Sequence, residues 1–65
     1  MERRQITLKA ARINAGLSQD EAAKALGITQ QTISSYEKGE SYPRVPMIKK
    51  IEDLYGVSYN DLIFF

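Results

Sequence analysis

A run of uncharged polar side chains between Thr29 and Tyr36 carries most of the hydrogen-bonding chemistry of this chain. No acidic or basic residue interrupts it, and its members are Gln30, Gln31, Thr32, Ser34 and Ser35. A glutamine amide offers an acceptor and donors in one plane, so it can form two hydrogen bonds with the edge of adenine. Threonine adds a hydroxyl and a methyl group that can meet the thymine methyl, and serine is short enough to allow close approach.

An ordinary solvated surface is the plainer interpretation of the same run. A solvated helix face usually carries Glu and Lys four residues apart, however, and this run contains neither. We therefore predict a helix face that reads DNA base edges through Gln30, Gln31 and Thr32, while Ser34 and Ser35 can donate to bases or to phosphates.

Two predicted helices on either side of a glycine position this face. The earlier one spans residues 19–26 and starts after Ser18, whose spacing from Glu21 matches a capping box. The later one spans residues 30–38. Gly27 ends the earlier helix, because a tight turn there is expected to need positive φ.

Small and large apolar residues follow one another around this joint in the order that two steeply crossing helices require. Small side chains let the helices approach and large ones fill the wedge between them, and the set is Ala22, Ala23, Leu26, Ile28, Ile33 and Tyr36. Thr29 is the predicted N-cap of the later helix. An ordinary helical bundle would use similar residues, but their order here predicts a helix-turn-helix whose second helix enters the major groove.

The remainder of the chain is also predicted to be helical. We predict a first helix over residues 5–15, a fourth over residues 46–55 and a short fifth over residues 59–63. No segment alternates apolar and polar residues for long enough to predict a strand. The expected fold is all-α, a single domain over residues 1–65 with five helices.

Groups that could hold the DNA backbone surround the predicted reading face. Phosphate binding needs N–H donors and cations, and we predict such contacts at Gln19, Ser34, Lys38 and Arg44. For Lys38 and Arg44, a solvated surface charge is the alternative. The N-terminal region carries three more basic residues, Arg3, Arg4 and Lys9. They are consistent with a basic N-terminal arm and equally with a frayed terminus.

Arg12 and Glu37 are opposite charges, each beside apolar positions, on the first and third predicted helices. A charge among apolar residues is stable only with a partner. We therefore predict a partly buried ion pair between Arg12 and Glu37 that ties the two helices together.

The last residues of the chain form an apolar segment with more apolar surface than one small core needs to bury. Its members are Tyr59, Leu62, Ile63, Phe64 and Phe65. We predict that this segment supplies a homodimer contact, the alternative being that the two phenylalanines close the monomer core. A dimer would place two reading helices about one DNA turn, ~34 Å, apart.

Composition excludes several classes of function. Without Cys or His, the chain has no disulfide, no thiol nucleophile and no usual zinc site, and we expect neither a cofactor nor an enzyme. No apolar run approaches the ~20 residues that span a bilayer, and no secretion signal follows Met1, so we expect a cytoplasmic protein. The net charge of +1 gives only weak support for a nucleic-acid partner.

Nearly the whole chain, from about Gln5 to Ile63, resembles the phage-repressor-like (Cro/cI, or XRE) DNA-binding domains. The resemblance is carried by LKAARINAGLSQDEAAKALGITQQTISSYEKGE and by the later GVSYNDLI. It implies a five-helix lambda-repressor-like domain that binds operator DNA as a dimer, mostly to repress transcription. By matched position it implies base reading by Gln30, Gln31, Thr32 and Ser35, and phosphate contacts at Gln19, Thr29 and Lys38. It likewise implies an interhelical ion pair between Arg12 and Glu37.

A protein-binding module is the competing function. The same family includes antitoxins that neutralise a partner toxin while repressing their own gene. This chain lacks the extra segment that usually holds a toxin, and we also expect no effector-sensing domain within it.

Overall fold

The computed structural model describes residues 5–64, which form four α-helices and one pair of short strands. The helices are α1 (Leu8–Asn14), α2 (Gln19–Leu26), α3 (Gln30–Lys38) and α4 (Val45–Tyr55). After a 3₁₀ turn (Tyr59–Asp61), strand β2 (Leu62–Ile63) pairs in parallel with β1 (Ile6–Thr7). The predominantly helical prediction is confirmed, whereas the five-helix count and the absence of strands are wrong for this part of the chain.

Side-chain caps define where α2 and α3 begin. The Ser18 hydroxyl accepts the Glu21 N–H at 3.0 Å, and the Glu21 carboxylate accepts the Ser18 N–H at 2.8 Å, which completes the capping box. Thr29 Oγ1 likewise accepts the Thr32 N–H at 3.1 Å. Gly27 ends α2 with a φ of 74°, which glycine adopts at little cost. These local signals determine where α2 begins and ends and where α3 begins.

The first helix begins at Leu8, three residues later than predicted, because the preceding backbone is extended. Thr7 has φ −74° and ψ 159°, and its side chain accepts the Ala10 N–H at 3.1 Å to cap α1. Ile6 and Thr7 are β-branched residues, which suit a strand, and they pair in register with β2. A strand of two residues is too short to show an alternating pattern.

The predicted fifth helix is only a 3₁₀ turn that leads into β2. The Ser58 hydroxyl accepts the Asn60 N–H at 3.3 Å, and the Glu52 carboxylate accepts the Tyr59 N–H at 2.6 Å. Leu62 then adopts an extended conformation and its side chain is buried. Pairing with β1 satisfies backbone groups that a longer helix would have satisfied internally, so the helix does not continue.

The core lies where α2 packs against α3 and α4. Its buried members are Leu8, Ala11, Ala22, Ala23, Leu26, Ile33, Ile51, Tyr55 and Leu62. Ala22 and Ala23 are 0% and 2% exposed, so small residues lie where the helices approach each other, as the predicted joint requires. Among residues 5–64, no helix combines the length and the apolar character needed to cross a membrane.

Ionisation of the buried Tyr55 should lower the stability of the fold at high pH. Burial raises the pKa of Tyr55 to about 12, with a further contribution from the Glu37 carboxylate and an opposing one from Arg12. The unfolded phenol ionises near pH 10, so the contribution to stability is complete below pH 10 and is lost as pH rises towards 12. We expect a loss on the order of 1 kcal/mol per pH unit in that window.

Urea unfolding of the wild type and of Tyr55→Phe, from pH 8 to pH 12, checks this expectation. The variant keeps the buried ring but has no phenol to ionise, so its stability should fall less steeply above pH 10. Below pH 10 the two proteins should show the same pH dependence. Equal slopes above pH 10 would contradict the effect of burial.

Candidate nucleic-acid interface

The two glutamines at the start of α3 lie at the surface, and Lys38 at its end is the other exposed residue of this helix. Gln30 and Gln31 are exposed, whereas Ile33 in the same helix is 2% exposed and lies in the core. Ser34 and Ser35 are half-buried. The packing of Ile33 therefore fixes the helix with its two amides at the surface.

A pair of threonine hydroxyls lies beside these amides. Thr29 Oγ1 and Thr32 Oγ1 are 2.9 Å apart and share a hydrogen bond. Thr29 also caps α3 through the same oxygen. This hydrogen bond holds the Thr32 side chain in place, and its methyl group is the apolar group that it can present.

Beneath α3, the structure brings Arg12 and Glu37 into a nearly enclosed ion pair. Arg12 Nε donates to Glu37 Oε2 at 2.7 Å, and Arg12 Nη2 approaches Oε1 at 3.4 Å. The two side chains are 9% and 6% exposed. Arg12 Nη1 also donates to the Leu17 carbonyl at 2.8 Å, so all three guanidinium nitrogens have an acceptor. The pair joins α1, α3 and the loop that leads into α2.

Gln19 lies in a hydrogen-bond chain that the sequence did not predict. Its Nε2 donates to Glu37 Oε1 at 3.0 Å, and its Oε1 accepts from Gln30 Nε2 at 3.4 Å. A signal for the contact between Gln19 and Gln30 was available in the sequence, since these are the first residues of two helices joined by a short turn. One N–H of the Gln19 amide remains for another acceptor.

Two of the predicted phosphate-binding cations flank the loop after α3. Lys38 is the last residue of α3 and Arg44 is the N-cap of α4, and both are exposed. A shallow groove beside α3 brings Arg44 together with Thr32 and Tyr42. Tyr42, 62% exposed, is a neighbour of this face that sequence reasoning missed.

The predicted dimer segment is divided between core and surface. Leu62 is buried and Ile63 is half-buried, so Leu62 is not available for contact with a partner. The Phe64 ring centre lies 5.7 Å from that of Tyr59 and 6.4 Å from that of Tyr42. Outside the described residues lie Arg3, Arg4 and Phe65.

Exposed apolar side chains surround this aromatic cluster. Tyr59 is 51% exposed and Val45 is 67% exposed. We call the surface the aromatic patch, and its members are Tyr42, Val45, Ile48, Tyr59 and Phe64. A clustered apolar surface of this kind is typical of an interaction site, whereas isolated exposed apolar residues are ordinary.

Two helices joined by a three-residue turn, the second with an exposed polar face, define a helix-turn-helix protein. The chain belongs to the helix-turn-helix family, whose model matches residues 8–62. The resemblance to the phage-repressor-like family is thereby confirmed.

Relatives of this chain are transcriptional regulators by name. It is 33% identical over 52 residues to the cryptic phage CTXphi transcriptional repressor RstR of Vibrio cholerae, covering 80% of this chain and 47% of RstR. It is 39% identical over 56 residues to the HTH-type transcriptional regulator ImmR of Bacillus subtilis, covering 86% of this chain and 44% of ImmR. The chain thus spans about half the length of these two proteins.

A third relative is of similar length to this chain. An uncharacterized HTH-type transcriptional regulator of Methanocaldococcus jannaschii is 36% identical over 58 residues, which cover 89% of this chain and 88% of that protein. No solved structure matches the chain. The family is therefore established by sequence, and the geometry of the site by the structure described above.

Removing one partner of the enclosed ion pair should destabilise the fold strongly. Glu37→Ala leaves the Arg12 guanidinium buried without a counter-charge, and we expect the free energy of unfolding to fall by ~3–5 kcal/mol. Chemical denaturation at neutral pH measures the loss.

The exposed pair between Lys24 and Asp20 provides a matched control. Lys24 Nζ lies 3.2 Å from Asp20 Oδ2, and the two side chains are 78% and 59% exposed. Lys24→Ala should therefore cost no more than about 0.5 kcal/mol. A loss below ~1 kcal/mol for Glu37→Ala would contradict a structural role for the enclosed pair.

Proposed function

We propose that this chain is a sequence-specific regulator of transcription that binds double-stranded DNA, acting as a repressor at a pseudo-palindromic operator. In this proposal α3 lies in the major groove. The observation that carries it is the pair of exposed, uncharged amides, Gln30 and Gln31, at the end of a helix that the core holds rigidly. Repression is supported by the name of RstR, a transcriptional repressor.

Base reading is assigned to four residues of α3. Gln30 and Gln31 would each form a bidentate contact with the N6 and N7 atoms of an adenine. Thr32 would contact a thymine methyl through its own methyl group. Ser35 is half-buried and one turn further along, so its contact would be secondary.

Backbone phosphates would be held around the edge of this face. Lys38 and Arg44 supply exposed cations on the two sides of the loop after α3. Thr29, Ser34 and the remaining N–H of Gln19 supply neutral donors. Such contacts position the protein without reading sequence.

A second copy of the chain would dock on the aromatic patch. Leu62 is withdrawn into the core, so the contact shifts from the predicted segment to Tyr59 and Phe64 together with Tyr42 and Val45. A two-fold contact places the same surface on both copies, and the paired reading helices would then match a pseudo-palindrome.

Two substitutions test the assignment of base and phosphate contacts. Gln30→Ala should cost ~1–3 kcal/mol of binding free energy for one preferred sequence and relax the preference at one position. Lys38→Ala should weaken binding to all sequences alike and reduce the salt slope by about one. Duplexes selected from a random pool, titrated at several salt concentrations, provide both measurements.

Each variant serves as the control for the other. If neither changes the affinity for selected duplexes, α3 is not the reading helix. An equal loss on every sequence for Gln30→Ala would reassign that residue from bases to phosphates.

The aromatic patch is tested by oligomeric state. Tyr59→Glu places a charge in the proposed contact, and we expect the dimer dissociation constant to rise about tenfold or more in analytical ultracentrifugation. Ile13→Glu is the matched control, because Ile13 is 55% exposed on α1 and lies outside the patch. A wild-type protein that stays monomeric at high concentration, with and without selected DNA, would refute the dimer.

A further inference from the structure

Helix α4 has an outer face besides the face that it packs into the core. Its buried side contributes Ile51 and Tyr55 to the core. The residues of the outer face recur at the spacing of one helical stripe, and they are Val45, Ile48, Lys49 and Glu52. Together with Tyr59 they line one groove at the surface. Two opposite charges therefore lie on the same helix face as two members of the aromatic patch.

Lys49 and Glu52 do not pair with each other, although residues three apart on a helix can meet. Neither belongs to an ion pair among residues 5–64. The Glu52 carboxylate is turned towards the 3₁₀ turn instead, where its Oε2 accepts the Tyr59 N–H at 2.6 Å. This contact holds the carboxylate at the edge of the patch. Its charge and that of the exposed Lys49 are left without an ionic partner in the described part of the chain.

Two-fold symmetry would join these unused charges into two ion pairs. An axis perpendicular to α4 sets the two copies of this helix antiparallel, so the order of residues along one helix is reversed on the other. Where such an axis passes between residues 49 and 52, Lys49 of each copy lies opposite Glu52 of the other. Because every contact across a two-fold axis occurs twice, one arrangement satisfies all four charges.

The outer face is thus complementary to itself. A partner of another kind would need one acidic and one basic group with the same separation and the opposite order. A second copy of this chain meets that requirement without any further condition. The apolar members of the aromatic patch cannot choose in this way, because the hydrophobic effect is non-directional.

We propose that reciprocal ion pairs between Lys49 and Glu52 select a second copy of this chain as the partner and set the two α4 helices antiparallel. This inference rests on the proposed function, since it specifies how a second copy docks on the aromatic patch. The charges act on specificity more than on affinity. A copy that docks out of register, or a related domain with other charges, brings like charges together and is rejected.

Reversing one charge at a time should replace attraction by repulsion. In Lys49→Glu both positions of the pair are acidic, and in Glu52→Lys both are basic. Each homodimer would then contain two like-charge contacts. We expect its dissociation constant to rise about tenfold or more in analytical ultracentrifugation. The measurement is made at low ionic strength, where surface charges are screened least.

An equimolar mixture of these two variants is the decisive measurement. In their heterodimer each acidic group again faces a basic one, so the mixture should sediment as a dimer at a concentration where each variant alone is monomeric. The double variant Lys49→Glu/Glu52→Lys should recover the homodimer as well, because it exchanges the charges and keeps both pairs.

Two further variants separate the ion pairs from other effects. Lys50→Glu changes the net charge as Lys49→Glu does, but Lys50 is exposed on α4 outside the outer face, so the dissociation constant should stay nearly unchanged. Glu52→Gln keeps an acceptor for the Tyr59 N–H and removes only the charge, and it should still weaken the dimer. Thermal unfolding of each full-chain variant establishes that it is folded before association is compared.

Failure of this inference is distinct from failure of the proposed dimer. If the wild type dimerises and the mixture contains no more dimer than the separate variants, the ion pairs do not form and the inference is overturned while the dimer stands. Equal weakening by Lys50→Glu would assign the effect to net charge and overturn it too. A wild type that is monomeric with and without selected DNA overturns the dimer and this inference together.

Discussion

The enclosed ion pair between Arg12 and Glu37 is the interaction on which the proposed reading helix depends. It joins α1 to α3 across 25 residues of sequence. Buried charges contribute to a fold only when their remaining donors and acceptors are also used, because each has lost its hydration. Here Arg12 also donates to the Leu17 carbonyl and Glu37 also accepts from Gln19. The satisfied pair therefore fixes the place of α3 relative to α1, and through Gln19 it also contacts the start of α2.

Stability and recognition are assigned to different kinds of group in this domain. The charges that hold α3 lie beneath it, and the side chains that face outward at its N-terminal end are neutral. A neutral amide costs less to dehydrate at a DNA surface than a charged group would. It also discriminates by geometry, since each of its atoms is either a donor or an acceptor. Because an amide discriminates by geometry, the specificity of the proposed reading face depends on a rigid support more than that of a charged face would.

Sequence reasoning succeeded where the signal was local. Ser18, Gly27 and Thr29 act within one turn of their own helix, so the bounds of α2 and α3 could be predicted from residue type and spacing. It failed where a distant partner decides the conformation, as when Ile6 pairs with Leu62 instead of extending a helix. The contact between Gln19 and Glu37 was missed for the same reason, because its partners are 18 residues apart and meet only after α2 has packed against α3.

Within residues 5–64, Lys38 and Arg44 are the two cations assigned to phosphates in the proposed interface, and this number has a consequence for affinity. Each phosphate neutralised by a protein cation adds about −0.9 to the salt slope and contributes affinity that is independent of sequence. With Lys38 and Arg44 as the cations of the proposed interface, and a net charge of +1, this contribution is small for one copy. A single domain would then hold DNA weakly, and a second copy would double the base contacts and the phosphate contacts together. In the proposed repressor, the aromatic patch is therefore as necessary to occupation of an operator as the amides of α3.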